Sequence, residues 1–393
     1  MMIRWMVAIL LCWPLNARTQ DFQPATPAEA GFDAGRLSRL TSTFDAYAAS
    51  GQLAGGVILV LRDGKAVVTH AFGHRDVDAR DPMRVDAMFR IASQTKAIVS
   101  VGILMLQEEG RLLLADPVSN YLPEFEKTGI TIRHLLMHAA GIGYSVPNTD
   151  ISGWYFAHRP ETMRELVRRM PTQPFIEAPG GRFMYGYATD ILGVVIEEIT
   201  GMSLEAFLTQ RIFGPLKMPD TRFFVPESKR DRLAVVYSAT ADRGIVRAPD
   251  PGGAVGQGHY VDGPRAAQSG GAGLVSTAQD YGRFLQMLLN GGDLDGARIL
   301  SPKSVALMTT DHFEGRYGRP GLGFGLGFEV VTDVGARGVP GEVGDYGWGG
   351  AYHSHYWVSP KDRMVVVFLT QLIPATGSDA HGKLRTLLYQ AME

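Results

Sequence analysis

Cysteine is almost missing from this chain: 393 residues contain one, Cys12. It lies inside an apolar N-terminal stretch that reads as a leader. A chain without that leader has no thiol, which removes disulfides, thiol catalysis and cysteine metal sites together. Long apolar runs are missing too. The stretch 5–13 is too short to cross a bilayer, so no stable membrane insertion is expected once the leader is gone. Charge of one sign is scarce: the formal net charge is −2 and no basic run exceeds two residues. Nucleic acid and anionic membranes are therefore not expected partners. The Gly-x-Ser-x-Gly elbow is absent, which argues against an α/β-hydrolase fold.

The leader has the parts of a secretory signal. Arg4 supplies a positive start, an apolar stretch follows, and Leu15-Asn16-Ala17 offers a cleavage site. Residues 1–17 are read as signal peptide, and export to a periplasm or beyond is expected. Leu11 precedes Cys12, where a lipid-attachment site requires a small residue.

The remaining length can bury a large core. Asp33 predicts a helix cap ahead of Leu37, Leu40, Phe44 and Tyr47. Segments 57–61 and 66–72 read as a hairpin turned at Asp63-Gly64. Thr131 reads as a cap. Helices are expected at 161–169, 189–200, 203–212, 277–289 and 378–392, and strands at 325–331, 344–348, 351–358 and 364–370. Strands at both ends with helices between predict an α/β (α+β) unit made of 18–115 and 275–393. Segment 116–274 is read as an inserted helical and loop region, with the site where the two meet.

The most chemical stretch is Ser93-Gln94-Thr95-Lys96, ahead of an apolar run over 97–106. On a helix, Ser93 and Lys96 share a face. Serine needs a base beside it, and a desolvated lysine can lose its proton and serve. The free N–H groups of a helix start suit an anion forming there. The bland alternative is an N-cap serine with a surface lysine.

Two further stretches accompany it. Residues 179–187, Pro-Gly-Gly-Arg-Phe-Met-Tyr-Gly-Tyr, precede a helix, and Gly347-Trp348-Gly349-Gly350-Ala351 enters a strand. The three together resemble the serine β-lactamase and penicillin-binding protein superfamily. They are most similar to the class C-like hydrolases called family VIII carboxylesterases. Supporting stretches are 131–138, with Gly141 following, 271–278 and 324–328. The resemblance spans about 27–390. It implies the β-lactamase/transpeptidase-like fold, a central antiparallel sheet flanked by helices.

By that resemblance Ser93 is the acylated nucleophile, Lys96 takes its proton, and Tyr185 is a second acid/base polarised by Lys96. The backbone N–H groups of Ser93 and Ala351 form the oxyanion hole, and Gly349 and Gly350 let substrate approach the strand. Two departures stand out. The β-lactamase motif Tyr-x-Asn has Tyr187 in its third place here, and the Lys-Thr-Gly strand motif is replaced by Trp348-Gly349-Gly350. A neutral Trp348 offers no charge-assisted anchor for a substrate carboxylate. Both changes favour a small-molecule ester over an anionic lactam or peptide. Tyr187 is read equally as site lining or packing, and Trp348 as both.

Other chemistries are weaker. Ten histidines are present, none in a recognisable triad context. His353 and His355 are read as facing one side of a strand, with His353 a candidate substrate contact. No metal is expected, for want of a His-Glu-x-x-His helix. His138 is read as structural. Gly271-Ala272-Gly273 lacks the context of a dinucleotide fingerprint, and no cofactor is expected. The expected function is ester hydrolysis through an acyl-enzyme. The alternatives are a class C-like β-lactamase or D-alanyl-D-alanine carboxypeptidase, acyl or amide transfer, and an acylated sensor without turnover.

Overall fold

The computed structural model describes residues 21–144, 161–172, 177–250 and 255–393. The segment 1–17, read from the sequence as a signal peptide, lies outside the described residues.

Helix α1 (Ala34–Ala49) starts at Asp33, whose carboxylate accepts from the Arg36 N–H at 2.6 Å. Leu37, Leu40 and Phe44 form its buried stripe. Strands β1 (Gly55–Arg62) and β2 (Lys65–Asp76) form the expected hairpin, with Asp63 and Gly64 both at positive φ. That is the left-handed pair a two-residue hairpin turn needs. A short β3 (Asp81–Pro82) adds the edge beyond β2.

The C-terminal third supplies the other five strands. These are β4 (Leu322–Phe324), β5 (Glu329–Val331), β6 (Tyr346–Gly349), β7 (His355–Ser359) and β8 (Met364–Thr370). The sheet order is β4-β5-β6-β7-β8-β1-β2-β3, with antiparallel pairing throughout. The first and last parts of the chain therefore meet in mid-sheet, where Val57 lies opposite Leu369 and Val60 opposite Val366.

Sequence expectation and structure differ in two of the predicted strand runs. The run 325–331 is strand only from Glu329: residues 325–328, with Gly327 at φ +97°, turn the chain back from β4, which ends at Phe324, into β5. The run 351–358 begins as a turn over 351–354 and becomes strand only at His355. The apolar alternation was visible, but the glycines ahead of it turn the chain back first.

Period-2 alternation divides the central strands between two cores. Val57, Leu59, Leu61, Val365, Val367 and Leu369 face one side, with helices α2 (Thr95–Glu108) and α7 (Ala278–Leu289). Ile58, Val60, Val366 and Phe368 face the other, with α1 and the C-terminal α8 (Ala380–Tyr389). Between β3 and β4 the chain is mainly helical. It contains α3 (Ile132–Leu136), α4 (Met163–Arg169), α5 (Ala188–Thr200) and α6 (Leu204–Leu208), the last running on into a wider turn over Thr209–Phe213. Thr131 caps α3 as expected, accepting from the His134 N–H. Among the described residues no helix is long and apolar enough to cross a membrane.

Phe44 is fully buried and meets Tyr47, Phe72 and Phe368 at 5.6, 5.4 and 5.2 Å between ring centroids. It ties α1 to β2 and β8. Phe44→Ala is expected to cost about 3–5 kcal/mol, read as a lower urea midpoint with unchanged slope. A loss under about 1 kcal/mol would mean α1 is not part of the cooperative core.

Candidate active site

Ser93 sits in a single 3-10 turn, Ala92–Gln94, that leads into α2. It is half-buried, whereas its neighbours Ala92 and Gln94 are buried. Ala92 has φ +42°, a conformation side chains disfavour, and it is held there by packing with Val236, Ala248 and Tyr352. Such strain persists only where the surroundings impose it, and it concentrates at functional sites. Behind Ser93, α2 is buried on all sides from Thr95 to Leu106, so it is a core helix rather than an amphipathic one.

The turn carrying Ser93 packs on the end of β6. A Cβ placed on Gly350 would lie 2.6 Å from the Ile91 carbonyl oxygen, so only glycine permits this approach. The Gly350 N–H donates to the Ser354 carbonyl at 2.8 Å, and the His353 N–H donates to the Gly350 carbonyl at 3.0 Å. These bonds leave Ala351 exposed at the tip of the turn. Among the described residues, neither the Ser93 nor the Ala351 N–H has a backbone acceptor.

Lys96 is 2 % exposed and its Nζ donates to the Tyr144 hydroxyl at 2.9 Å and to the Gly271 carbonyl at 2.8 Å. It lies 4.5 Å from the centroid of the Tyr185 ring and 5.6 Å from that of Tyr144. Burial works against its charge, but the phenols of Tyr144 and Tyr185 and the Asp190 carboxylate outweigh that, and its pKa is raised. The raised pKa favours the ammonium form of Lys96. Two neutral oxygens accepting from it fit that state.

Tyr185 accepts a 2.9 Å hydrogen bond from the Trp348 indole N–H. Tyr185 is placed by lacing between two segments. The Gly180 N–H donates to the Ala139 carbonyl and the Met184 N–H to the His138 carbonyl, both at 2.7 Å. The His138 ring lies 4.7 Å from that of Tyr185. Burial first, then the Lys96 ammonium, lower the His138 pKa well below its ordinary value. It is a neutral packing ring, as the sequence suggested. Trp348 both packs on the core and reaches the site.

Two candidate substrate contacts lie elsewhere. Tyr187 is fully buried, with its ring edge-on to Tyr144 at 5.2 Å. It supports the wall behind the site and has no surface to offer substrate. His353 stacks on His381 of α8 at 4.0 Å and shares a 2.8 Å hydrogen bond with the Ser378 hydroxyl. That is the face of the sheet opposite α2. Burial, then His381, push its pKa down to about 3. His355 stacks on the same His381 ring at 4.8 Å. Stacked rings point their nitrogens edgewise, so the pair does not converge on a metal.

Sequence reasoning missed Tyr144, three residues beyond Gly141, and it missed Asp190. A polar cavity of about 680 Å³ lies apart from these groups, and its Arg75, Arg230 and Arg247 are paired with carboxylates.

A serine in the turn that opens a core helix, a lysine one turn on, a tyrosine near that lysine and, at the end of a strand, an N–H without a backbone acceptor among the described residues are the arrangement of a serine hydrolase. The chain belongs to the beta-lactamase family, whose model matches residues 40–391. It is 34% identical over 369 residues to Protein Rv1367c of Mycobacterium tuberculosis, covering 84% of this chain and 89% of that one. It is 32% identical to Esterase EstB of Burkholderia gladioli, covering 88% and 93%. The solved structure of EstCE1, described as a hydrolase with promiscuous acyltransferase activity, superposes with a TM-score of 0.81. Its identity is 27%, covering 90% of this chain and 99% of that one.

Gly350→Ala is expected to lower kcat about tenfold or more by pushing the Ser93 turn off β6. Circular dichroism should show the fold retained. An unchanged kcat would mean that the turn and the strand edge do not act together.

Proposed function

We propose that the protein is an exported carboxylesterase that cleaves small-molecule esters through an acyl-enzyme on Ser93. The observation that carries the ester reading is Trp348. It stands at the strand position where a lysine would attract a carboxylate, and its N–H is directed to Tyr185. The strand edge beside the tyrosine therefore offers a neutral aromatic surface, suited to a neutral ester. The likeness to Esterase EstB supports the same reading. The export reading rests on the leader pattern at 1–17.

In this reading Ser93 Oγ attacks the ester carbonyl, and the Ser93 and Ala351 N–H groups hold the oxyanion. Lys96 and Tyr185 act as one acid–base pair that is active with one proton removed. The pair takes the proton of Ser93 and delivers it to the departing alkoxide. Water then enters, gives a proton to the pair and attacks the acyl carbonyl. The same proton returns to Ser93 as the carboxylic acid leaves. Gly349 and Gly350 give the substrate room at the strand edge. The reaction needs no cofactor. Transfer to an alcohol in place of water is a second reading, favoured by the description of EstCE1, and added alcohol should reveal it as a new ester.

Side-by-side assays of a p-nitrophenyl short-chain ester and nitrocefin test the reading. The expected result is a higher kcat/KM for the ester, and a loss of about 10⁴-fold or more in Ser93→Ala and nearly as much in Lys96→Ala. Faster nitrocefin hydrolysis would overturn the ester assignment, and unchanged ester turnover in Ser93→Ala would overturn the nucleophile.

A further inference from the structure

Lys96 is held from behind by groups that the reaction itself does not use. Its Nζ donates to the Gly271 carbonyl at 2.8 Å. The other end of that peptide, the Ala272 N–H, donates to the Ser269 hydroxyl at 3.0 Å. Ser269 in turn donates to Asp190 Oδ1 at 2.6 Å, and the Gly271 N–H donates to the same oxygen at 3.1 Å. Lysine, peptide, hydroxyl and carboxylate form one continuous chain of hydrogen bonds. Every donor points toward Asp190, so each bond polarises the next.

The surroundings make this chain costly to build and therefore informative. Asp190 is fully buried in the first turn of α5. A buried carboxylate requires compensation by donors or by a cation. Gly271 is required for the contact, since a Cβ there would overlap the Asp190 carboxylate. Gly270 is required beside it, because its Cβ would meet the Thr189 carbonyl at 2.6 Å. The loop 269–273 is thus pressed onto α5 so that its peptide carbonyl can face Lys96.

We propose that Asp190 is a positioning residue for Lys96, acting through Ser269 and the Gly271–Ala272 peptide as the remote countercharge of its ammonium. The proposal rests on the esterase reading above, in that Lys96 and Tyr185 are taken as the acid–base pair. Asp190 never touches substrate. It fixes where the ammonium lies between the Tyr144 hydroxyl and the Tyr185 ring, and it sets how readily the pair gives up a proton. Among the described residues, the other charged or titratable groups facing Lys96 are Tyr144, Tyr185 and His138. Of these groups Asp190 is the one carboxylate.

A negative charge favours the protonated pair, so the pH at which the pair becomes active is higher with Asp190 than without it. Asp190→Asn keeps an oxygen to accept from Ser269 and removes the charge. The acidic limb of its kcat/KM profile for a p-nitrophenyl ester is expected to move to lower pH by about half a unit or more. Ser269→Ala keeps the charge and cuts the chain. It is expected to lower kcat about tenfold with KM changed less than about twofold, and to leave the limb nearer that of the parent. A purely structural Asp190 would lower activity at every pH with the limb in place, and that result overturns the proposal. So does an unchanged kcat in Ser269→Ala, which stands as a separate test should Asp190→Asn not fold. Absence of any Ser93-dependent ester turnover in the parent protein would be different. It would remove the esterase reading itself before either variant is measured.

Discussion

A lysine ammonium cut off from water has to be held by oxygens, and much of the site's geometry meets that requirement. Lys96 lies at the start of a helix buried on every side, where an isolated charge is strongly unfavourable. Its supports arrive from separate parts of the chain. Tyr144 comes from the loop after α3, Tyr185 from the segment before α5, and Gly271 from the loop before α7. Each is set by a glycine that admits a close approach. Gly141 lies against Glu177, Gly186 against Ile142, and Gly271 against Asp190. The glycine-rich character of this chain, 47 residues in all, is in these places a consequence of packing backbone onto backbone around one charge.

The nucleophile's position follows from the same packing. Once α2 is fixed in the core by Lys96 and its apolar neighbours, the turn before it projects toward β6. Gly350 lets the strand edge come within contact of Ile91, and among the described residues the Ser93 and Ala351 N–H groups have no backbone acceptor. The strained Ala92 is the local expression of a chain forced from a strand into a helix over one turn. Trp348 completes the enclosure by bonding to Tyr185 and packing on the aromatic cluster of Phe183 and Phe324. Charge is provided from behind, while the front is neutral and aromatic.

Much of this was legible in the sequence because it depends on local signals. Asp33, Thr131 and Asp63-Gly64 mark caps and a turn through chemistry that acts over two or three residues. Ser93 and Lys96 are linked by helix periodicity, and 179–187 and 347–351 by resemblance to a family. What was not legible depends on long-range packing. Tyr144 and Asp190 reach Lys96 only after three loops have folded together, and no spacing along the chain encodes that. His353 was read on a strand with His355, but the Gly349-Gly350 pair turns the chain first, and the ring ends against α8. Tyr187 went inward because the start of α5 is buried.

The central claim is that Ser93, served by Lys96 and Tyr185, is acylated and then released. The most direct measurement is intact-protein mass spectrometry during turnover of a slowly hydrolysed ester, followed by peptide mapping of the quenched enzyme. A single acyl mass that maps to Ser93 and decays as acid is released is the result this account predicts. Turnover with no adduct on Ser93, or an adduct on another residue that forms and decays at the turnover rate, would contradict it.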